Sequence, residues 1–549
     1  MGITLPSGEL RINGKKIKAE KTIPVVSPAT EEIIGEICAA SEREVTMAVE
    51  AAQGAFRTWK VIPLKHRLSY IRKFRNLAIQ KLEELAQIDA TESGKPIYYG
   101  LVDAALGCAL TPKYYEMFAE EFLKDEKIHH PFPFNLISQM KISYRVFSPM
   151  GVIGIISPWN SPIALTMIHL LPSLVAGNTV VLKPSSYSSF VMLKVYEIFE
   201  EAGLPPGVLN VVTGRGEEVG AYLTRAKVRK IAFTGSSKTA VTILENCAKR
   251  LTPATLELGG DDAMIVLKDA DLDSAASAAV FGSFFNSGQI CFASKRIIVA
   301  KEIKKDFLKK VLNRVKKLKV GNPLEKDTEI GPLIFKNELD KMDRFVQDAV
   351  LKGAKVECGG KRIEGKGYFY EPTVLSGVNM SMSLAYEERF GPIMSIFEFE
   401  SEEEAIAMAN FPEYGLSSSI WSRNIKKARE IAHRMEAGVT SVNDIFSFAL
   451  YAPYGGIKRS GFGKTLAKEG LLDATFQRTI EVLERKPLFV SLVWFPWTKV
   501  SFESVLNLIK VFFSDGVKGK AGALIRGLKA LFARQKEYKE FIKEEKQGK

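Results

Sequence analysis

The period of the apolar positions changes several times along this chain, and each change marks a segment. Residues 8–40 carry short apolar runs separated by turn signals such as Asn13-Gly14, which predicts small strands. From Thr46 to Gln87 apolar residues recur at helical intervals and predict one helix; Gly94-Lys95-Pro96 breaks it, and further helix runs to about Leu123. Met140, Ile142, Tyr144 and Val146 then alternate with Lys141, Ser143 and Arg145, the period of a half-buried strand. The alternation returns at Phe476, Ile480 and Val482, so these two segments are expected to pair in a sheet shared between two copies of the chain.

Beyond Gly151 short apolar strands are each followed by a helical segment: Val152 to Ile156, Thr179 to Leu182, Val208 to Val212 and Lys230 to Phe233. Such a succession predicts a parallel sheet covered by helices, which binds ligands beyond the C-terminal ends of its strands. Asn160, Lys183 and Gly235 all fall just past such ends. Gly235-Ser236-Ser237 opens a helix, so its backbone N–H groups can face a pyrophosphate. Residues 260 to 460 mix helices and strands again, with helical Leu272 to Phe285 leading into Asn286-Ser287-Gly288-Gln289-Ile290-Cys291.

At 549 residues two or three domains are expected. The net charge of +13 is uneven: from Arg485 onward 14 Lys/Arg face 6 Asp/Glu, a net +8, which leaves +5 for the body. A body this close to neutral, with no basic patch interleaved with aromatics, speaks against nucleic acid as a partner. The tail is the exception. Pro487 to Thr498 is apolar and aromatic but too short to span a bilayer. Phe502, Val505, Leu506, Ile509, Phe512 and Phe513 share one helical face, and Leu524, Ile525, Leu528, Leu531 and Phe532 share another. Either these faces touch a membrane peripherally or they cover an apolar face of the same chain or of a second copy.

Five widely spaced cysteines (Cys38, Cys108, Cys247, Cys291, Cys358) suggest neither a disulfide framework nor zinc. The histidines fall at no metal-ligand spacing, so no metal is expected. The first 20 residues lack a secretory pattern, and Pro6 spoils the myristoylation motif at Gly2. A reducing cytoplasm is the expected location.

Among the cysteines Cys291 sits on a glycine-bearing turn and is the candidate nucleophile, since a thiolate forms thiohemiacetals and thioesters readily. Glu257, in Glu257-Leu258-Gly259-Gly260, can activate water, and the Asn160 amide, in Pro158-Trp159-Asn160-Ser161-Pro162, can hold an oxyanion. With Val181-Leu182-Lys183-Pro184-Ser185, Phe233-Thr234-Gly235-Ser236, Glu387-Glu388-Arg389-Phe390-Gly391-Pro392 and Pro453-Tyr454-Gly455-Gly456 in order, the chain resembles the NAD(P)-dependent aldehyde dehydrogenase superfamily from about residue 20 to 485.

The resemblance implies an α/β fold with a Rossmann-type cofactor domain (1–125 and 148–258), a catalytic domain (259–470) and a β oligomerisation arm (126–147 and 471–485), followed here by a basic amphipathic extension (486–549). It implies a homodimer or homotetramer that oxidises an aldehyde to the acid, with Cys291, Glu257 and Asn160 as catalytic residues. Cofactor contacts fall on Lys183, Ser186, Gly235, Ser236, Glu388, Phe390 and Trp159. The family's second helix glycine is Ala240 here. Ser186 stands where a glutamate commonly repels a 2'-phosphate, so NADP is expected to serve at least as well as NAD. Asn443 and glycines 455, 456, 461 and 463 are expected to shape the site's rim. Ile168 and Phe285 replace the arginines of the succinate semialdehyde branch, which favours an uncharged, apolar aldehyde. Succinate semialdehyde oxidation and a non-catalytic membrane scaffold are the rival functions.

Overall fold

A computed structural model describes residues 3–131, 141–445, 449–484, 494–513 and 520–547; Gly2, Met140 and the Pro487–Val493 part of the aromatic stretch lie outside the described residues. Five short strands build the core of the first sheet: β1 (Val152–Ile156), β2 (Thr179–Lys183), β3 (Leu209–Val211), β4 (Lys230–Thr234) and β5 (Ala254–Glu257), in the order β3-β2-β1-β4-β5 and all parallel. Their side chains alternate between two cores. Val180, Leu182 and Ala232 enter one, packed on helices α1 (Pro162–Ala176) and α2 (Ser189–Glu201); Val181, Ile231 and Phe233 enter the other, beside α3 (Ser237–Ala248). Burial on both faces is why these strands read as unbroken apolar runs. The antiparallel hairpin Leu10–Ile12 and Lys15–Ile17 continues the sheet beyond β3, and Gly461–Phe462 pairs antiparallel with β5 at the other edge.

A second sheet follows from β6 (Asp262–Val266), β7 (Ser294–Ala300), β8 (Thr373–Ser376), β9 (Ile393–Phe399), β10 (Ser417–Trp421) and β11 (Val439–Val442), ordered β8-β9-β7-β6-β10-β11 and parallel throughout, with Lys355–Cys358 antiparallel outside β8. It too is covered on both faces, by the clusters around Phe345 and Phe307. Helix α4 (Leu272–Phe284) ends at the turn that carries Cys291.

The single helix expected from Thr46 to Gln87 is three: Glu42–Trp59, Leu64–Gln80 and Leu82–Ser93. Pro63 is the first cause, because the residue before a proline is driven out of helical backbone.

The chain divides into two compact units, residues 1–123 with 148–476 and residues 124–147 with 477–549. Within the second unit the expected pairing is present: Ile142–Pro149 lies between Glu126–Ile128 and Thr475–Val482. Phe476, Ile480 and Val482 are exposed in the single chain. The unit ends in α5 (Lys499–Phe513) and α6 (Lys520–Lys546), which pack along one another. Among the described residues no helix is long and apolar enough to cross a membrane.

Candidate active site

The order of the strands reverses between β1 and β4, the place where an open parallel sheet leaves a crevice at its C-terminal edge. The loop after β1 holds Trp159 and Asn160, β2 ends on Lys183, β4 is followed by Gly235, and β5 ends on Glu257. The loop after β1 is fixed by Asp103, whose carboxylate accepts the N–H groups of Ile163 and Ala164 at 3.0 and 3.2 Å and so caps α1.

The turn before Cys291 is held in an unusual backbone. Asn286, Ser287 and Gly288 have φ of 51°, 55° and 72°, three left-handed residues in succession. Asn and Gly tolerate this region best, and strain of this kind persists only where neighbours over-determine it. They do so here. Ser287 donates to the Gly331 carbonyl at 2.8 Å, and the Gln289 side chain accepts the Ile334 N–H at 2.9 Å. Asn286 donates to the Asn160 carbonyl at 3.3 Å, while the Asn160 amide donates to the Gln289 carbonyl at 3.1 Å. The oxyanion candidate and the nucleophile's turn are thereby tied together, two residues from Cys291.

Cys291 is half-buried and packs with Ile168, Leu165, Phe292, Leu416, Val439, Leu450, Leu466 and Tyr454. Burial and the nearby Asp262, Glu388 and Glu257 carboxyls push its thiol up, so the resting group is a thiol rather than the thiolate. Burial also drives Glu257 well above the usual carboxylate range, against the pull of Lys464. Among the described residues neither Glu257 oxygen has a hydrogen-bond partner. An unpartnered buried carboxylate is a strong base, and desolvation is the reason. Lys464 donates to the Gly455 carbonyl at 3.0 Å, and Gly455 lies directly against Glu257.

Lys183 is buried, its ammonium pushed down to about 8 by desolvation with Glu217 opposing. The ammonium makes no hydrogen bond among the described residues, and Ser186 is half-buried in the turn just beyond it. Glu388 accepts the Gly260 N–H at 3.2 Å, and burial raises its carboxyl to about 7. Its loop is pinned by Arg389, which pairs with Asp261 at 3.1 Å and donates to the Lys295 carbonyl at 2.6 Å. The Phe390 ring stands edge-on to Trp159 with centroids 5.5 Å apart, and the aromatic row continues through Phe335 to Tyr187.

Two expectations change. The Gly235 N–H donates to the Glu257 carbonyl at 3.0 Å, and the Ser236 hydroxyl caps α3 by accepting the Thr239 N–H at 3.2 Å. The Gly235 N–H is therefore taken, whereas Ser236 accepts at its oxygen and shares its hydroxyl with Thr239, so an anion at α3 would meet the Ser236 hydroxyl and the amides that follow rather than Gly235. Asn443 spends both side-chain ends on the Ser422 backbone, joining β10 and β11 rather than forming a rim. Gly461 and Gly463 pack on the backbone of Leu256 and the side chain of Thr255, so these glycines let the chain close over β5.

Sequence reasoning passed over Asn286, Gln289, Lys295, Arg389, Tyr454 and Lys464 as individual residues. The consecutive Asn-Ser-Gly before Cys291 carried a usable signal, since those types favour left-handed backbone. The buried charges carried none.

The sequence model of the aldehyde dehydrogenase family matches residues 16–480. The chain belongs to that family. It is an oxidoreductase acting on aldehydes with NAD or NADP. The betaine aldehyde dehydrogenase of Beta vulgaris chloroplasts is 37% identical over 482 residues, 86% of this chain and 95% of the relative. Among solved structures, a NAD-dependent aldehyde dehydrogenase of Sinorhizobium meliloti superposes with a TM-score of 0.85 at 34% identity, covering 90% of this chain and 97% of the other. An NADP-dependent enzyme of Escherichia coli gives 0.82 at 33%, covering 87% and 100%. As an aldehyde dehydrogenase the chain has the expected α/β fold with a Rossmann-type domain.

Proposed function

We propose that this aldehyde dehydrogenase oxidises an uncharged, apolar aldehyde to its acid, with Cys291 as nucleophile, Asn160 as oxyanion donor and Glu257 as base. The carrying observation is the position of Cys291 in an apolar cluster with Ile168, near a buried Glu257 whose oxygens have no hydrogen-bond partner among the described residues. The thiol gives its proton to Glu257, which passes it on to solvent, as sulfur bonds to the carbonyl carbon, and the oxygen's new charge is met by the Asn160 amide and the Cys291 N–H. Bound NAD(P) supplies the hydride acceptor. Glu257 then takes a proton from water, whose oxygen attacks the thioester; the C–S bond breaks and the carboxylate leaves.

The residues present fit such a cofactor. A buried ammonium at a strand end, with no hydrogen bond of its own, is costly unless a polar ligand completes it. Lys183 and Ser186 would hold the adenosine ribose, Glu388 the nicotinamide ribose, and Phe390 and Trp159 the ring beside it, with Gly235 shaping the helix entry and Ser236 at its cap. The small Ser186 hydroxyl supports use of NADP at least as well as NAD. The first sheet is read as the cofactor domain and the second as the catalytic domain. The exposed Phe476, Ile480 and Val482 support a homodimer or homotetramer joined through this arm. A reducing cytoplasm suits its catalytic thiol.

The beet relative's name suggests betaine aldehyde as a second reading. Phe292 and Tyr454, packed with Cys291, are aromatic groups of the kind a quaternary ammonium prefers. Purified enzyme should be assayed with acetaldehyde, butanal, hexanal, benzaldehyde, betaine aldehyde and succinate semialdehyde, each with both cofactors. The apolar reading expects kcat/KM to rise along the aliphatic series. Betaine aldehyde as the best substrate selects the second reading, and succinate semialdehyde as the best rejects both.

A further inference from the structure

Helices α5 and α6 meet through their small and polar residues. Ser501, Ser504 and Asn507 of α5 are buried, Ser504 completely, together with Val511; Ala523 and Gly527 of α6 are buried too, and Gly527 lies against Asn507 and Leu508. An added Cβ at Gly527 would lie 3.8 Å from the Asn507 Cβ, ordinary contact distance. The buried polar groups need no partner across the pair: Ser504 donates to the Val500 carbonyl at 2.7 Å and Asn507 to that of Glu503 at 2.8 Å. The opposite face of α5 holds Phe502, 69% exposed, and Ile509. Helix α6 exposes Leu524, Ile525 and Leu528 in the same way, and Trp494 and Phe495 stand exposed just before α5.

Water favours the reverse arrangement, with large apolar side chains between the helices and serines outside. Close contact through Gly, Ala and Ser, with hydroxyls returned to their own helix and apolar groups outward, is how helices pair in apolar surroundings. Charge identifies those surroundings. Arg526 and Lys529 lie beside the exposed leucines of α6, and the last 65 residues carry a net +8. A second such tail would be repelled, whereas an anionic lipid surface attracts it. Tryptophan at the start of the pair suits the headgroup level.

We propose that the α5–α6 hairpin seats this enzyme on the surface of an anionic membrane, with its apolar outer face in the headgroup and upper acyl layer. The hairpin lies in one leaflet, since neither helix can cross. Past Arg534, α6 turns to Lys536, Glu537, Lys539 and Glu540 and stays in water. The inference stands apart from the substrate and cofactor readings.

Flotation of the full-length enzyme with vesicles of phosphatidylcholine alone, and with about 30% phosphatidylserine, tests it. Expected are binding to the anionic vesicles that weakens with salt, and a blue shift of tryptophan emission on binding. The triple variant Phe502→Ser/Ile509→Ser/Leu528→Ser should lose vesicle binding about tenfold or more at unchanged dehydrogenase activity. Arg526→Glu/Lys529→Glu should lose the preference for phosphatidylserine. Flotation with neither vesicle, or equal flotation of the triple variant, overturns the proposal. So does a triple variant that changes oligomeric state while the parent ignores vesicles, which would make the face a contact between copies.

Discussion

The Glu388 carboxylate fills the space where a side chain at residue 259 would begin, so Gly259 cannot take a Cβ without displacing it. The Glu-Leu-Gly-Gly run therefore serves two functions: its glutamate ends β5, and its glycines admit the carboxylate of a distant loop. Gly259→Ala should expel Glu388 and raise the KM for NAD(P) on the order of tenfold, about 1.4 kcal/mol, while the protein stays folded. Cofactor titration followed by fluorescence measures it, and an unchanged KM would mean that Glu388 does not touch the cofactor.

Cys291→Ala should lower kcat about a thousandfold or more and leave cofactor affinity intact. NAD(P)H absorbance gives the first and equilibrium titration the second. Substantial residual turnover would transfer the nucleophile's role elsewhere.

Glu257→Gln should keep a first-turnover burst of NAD(P)H, formed more slowly, and slow the steps after it further. A base works when unprotonated, and burial raises Glu257 well above the usual carboxylate range, so turnover should climb with pH well past that range. In Lys464→Met the lowering influence on Glu257 is gone, and the rising limb should move to higher pH. A limb that stays in place would show that another group sets it.

Ser186→Glu places a carboxylate where a 2'-phosphate would lie. The NADP to NAD ratio of kcat/KM should drop about tenfold or more, since like charges in close apposition cost several kcal/mol when desolvated. An unaffected ratio would place the phosphate away from this turn.

Thermal stability should fall between pH 6.5 and 8. Burial raises Glu92, Asp103 and Asp262 to about 8, 7 and 8, so in the fold they keep protons that the unfolded chain has released. Their stabilisation is full below the ordinary carboxylate pKa and is lost as pH passes the raised values. His169, lowered to about 4, has finished its opposite contribution below this window, Lys183, lowered to about 8, begins its own above it, and the buried Lys295, held well below the ordinary lysine range, opposes the three carboxyls within it. A Tm that rises through the window would show these carboxyls ionised in the fold.

The sequence made the strand ends legible because β1, β2 and β4 are buried on both faces, and it put Asn160, Cys291 and Glu257 together by type and order. The arm strands paired as their alternation required. What stayed hidden depended on partners distant in the chain. Nothing local tells that the Gly235 N–H is taken by Glu257, that Ser236 caps its own helix, or that Arg389 reaches Asp261 across 128 positions. The helical wheel of α5 separates Phe502 from Ser504 correctly, but which face meets α6 is a property of the pair.

The burial of Cys291, the proposed nucleophile, also bears on how long the enzyme survives. Peroxides and alkylating agents attack thiolates far faster than thiols, and oxidation beyond the sulfenic acid is not readily undone. A nucleophile that rests protonated, and ionises as the aldehyde arrives, is spared much of that damage between turnovers.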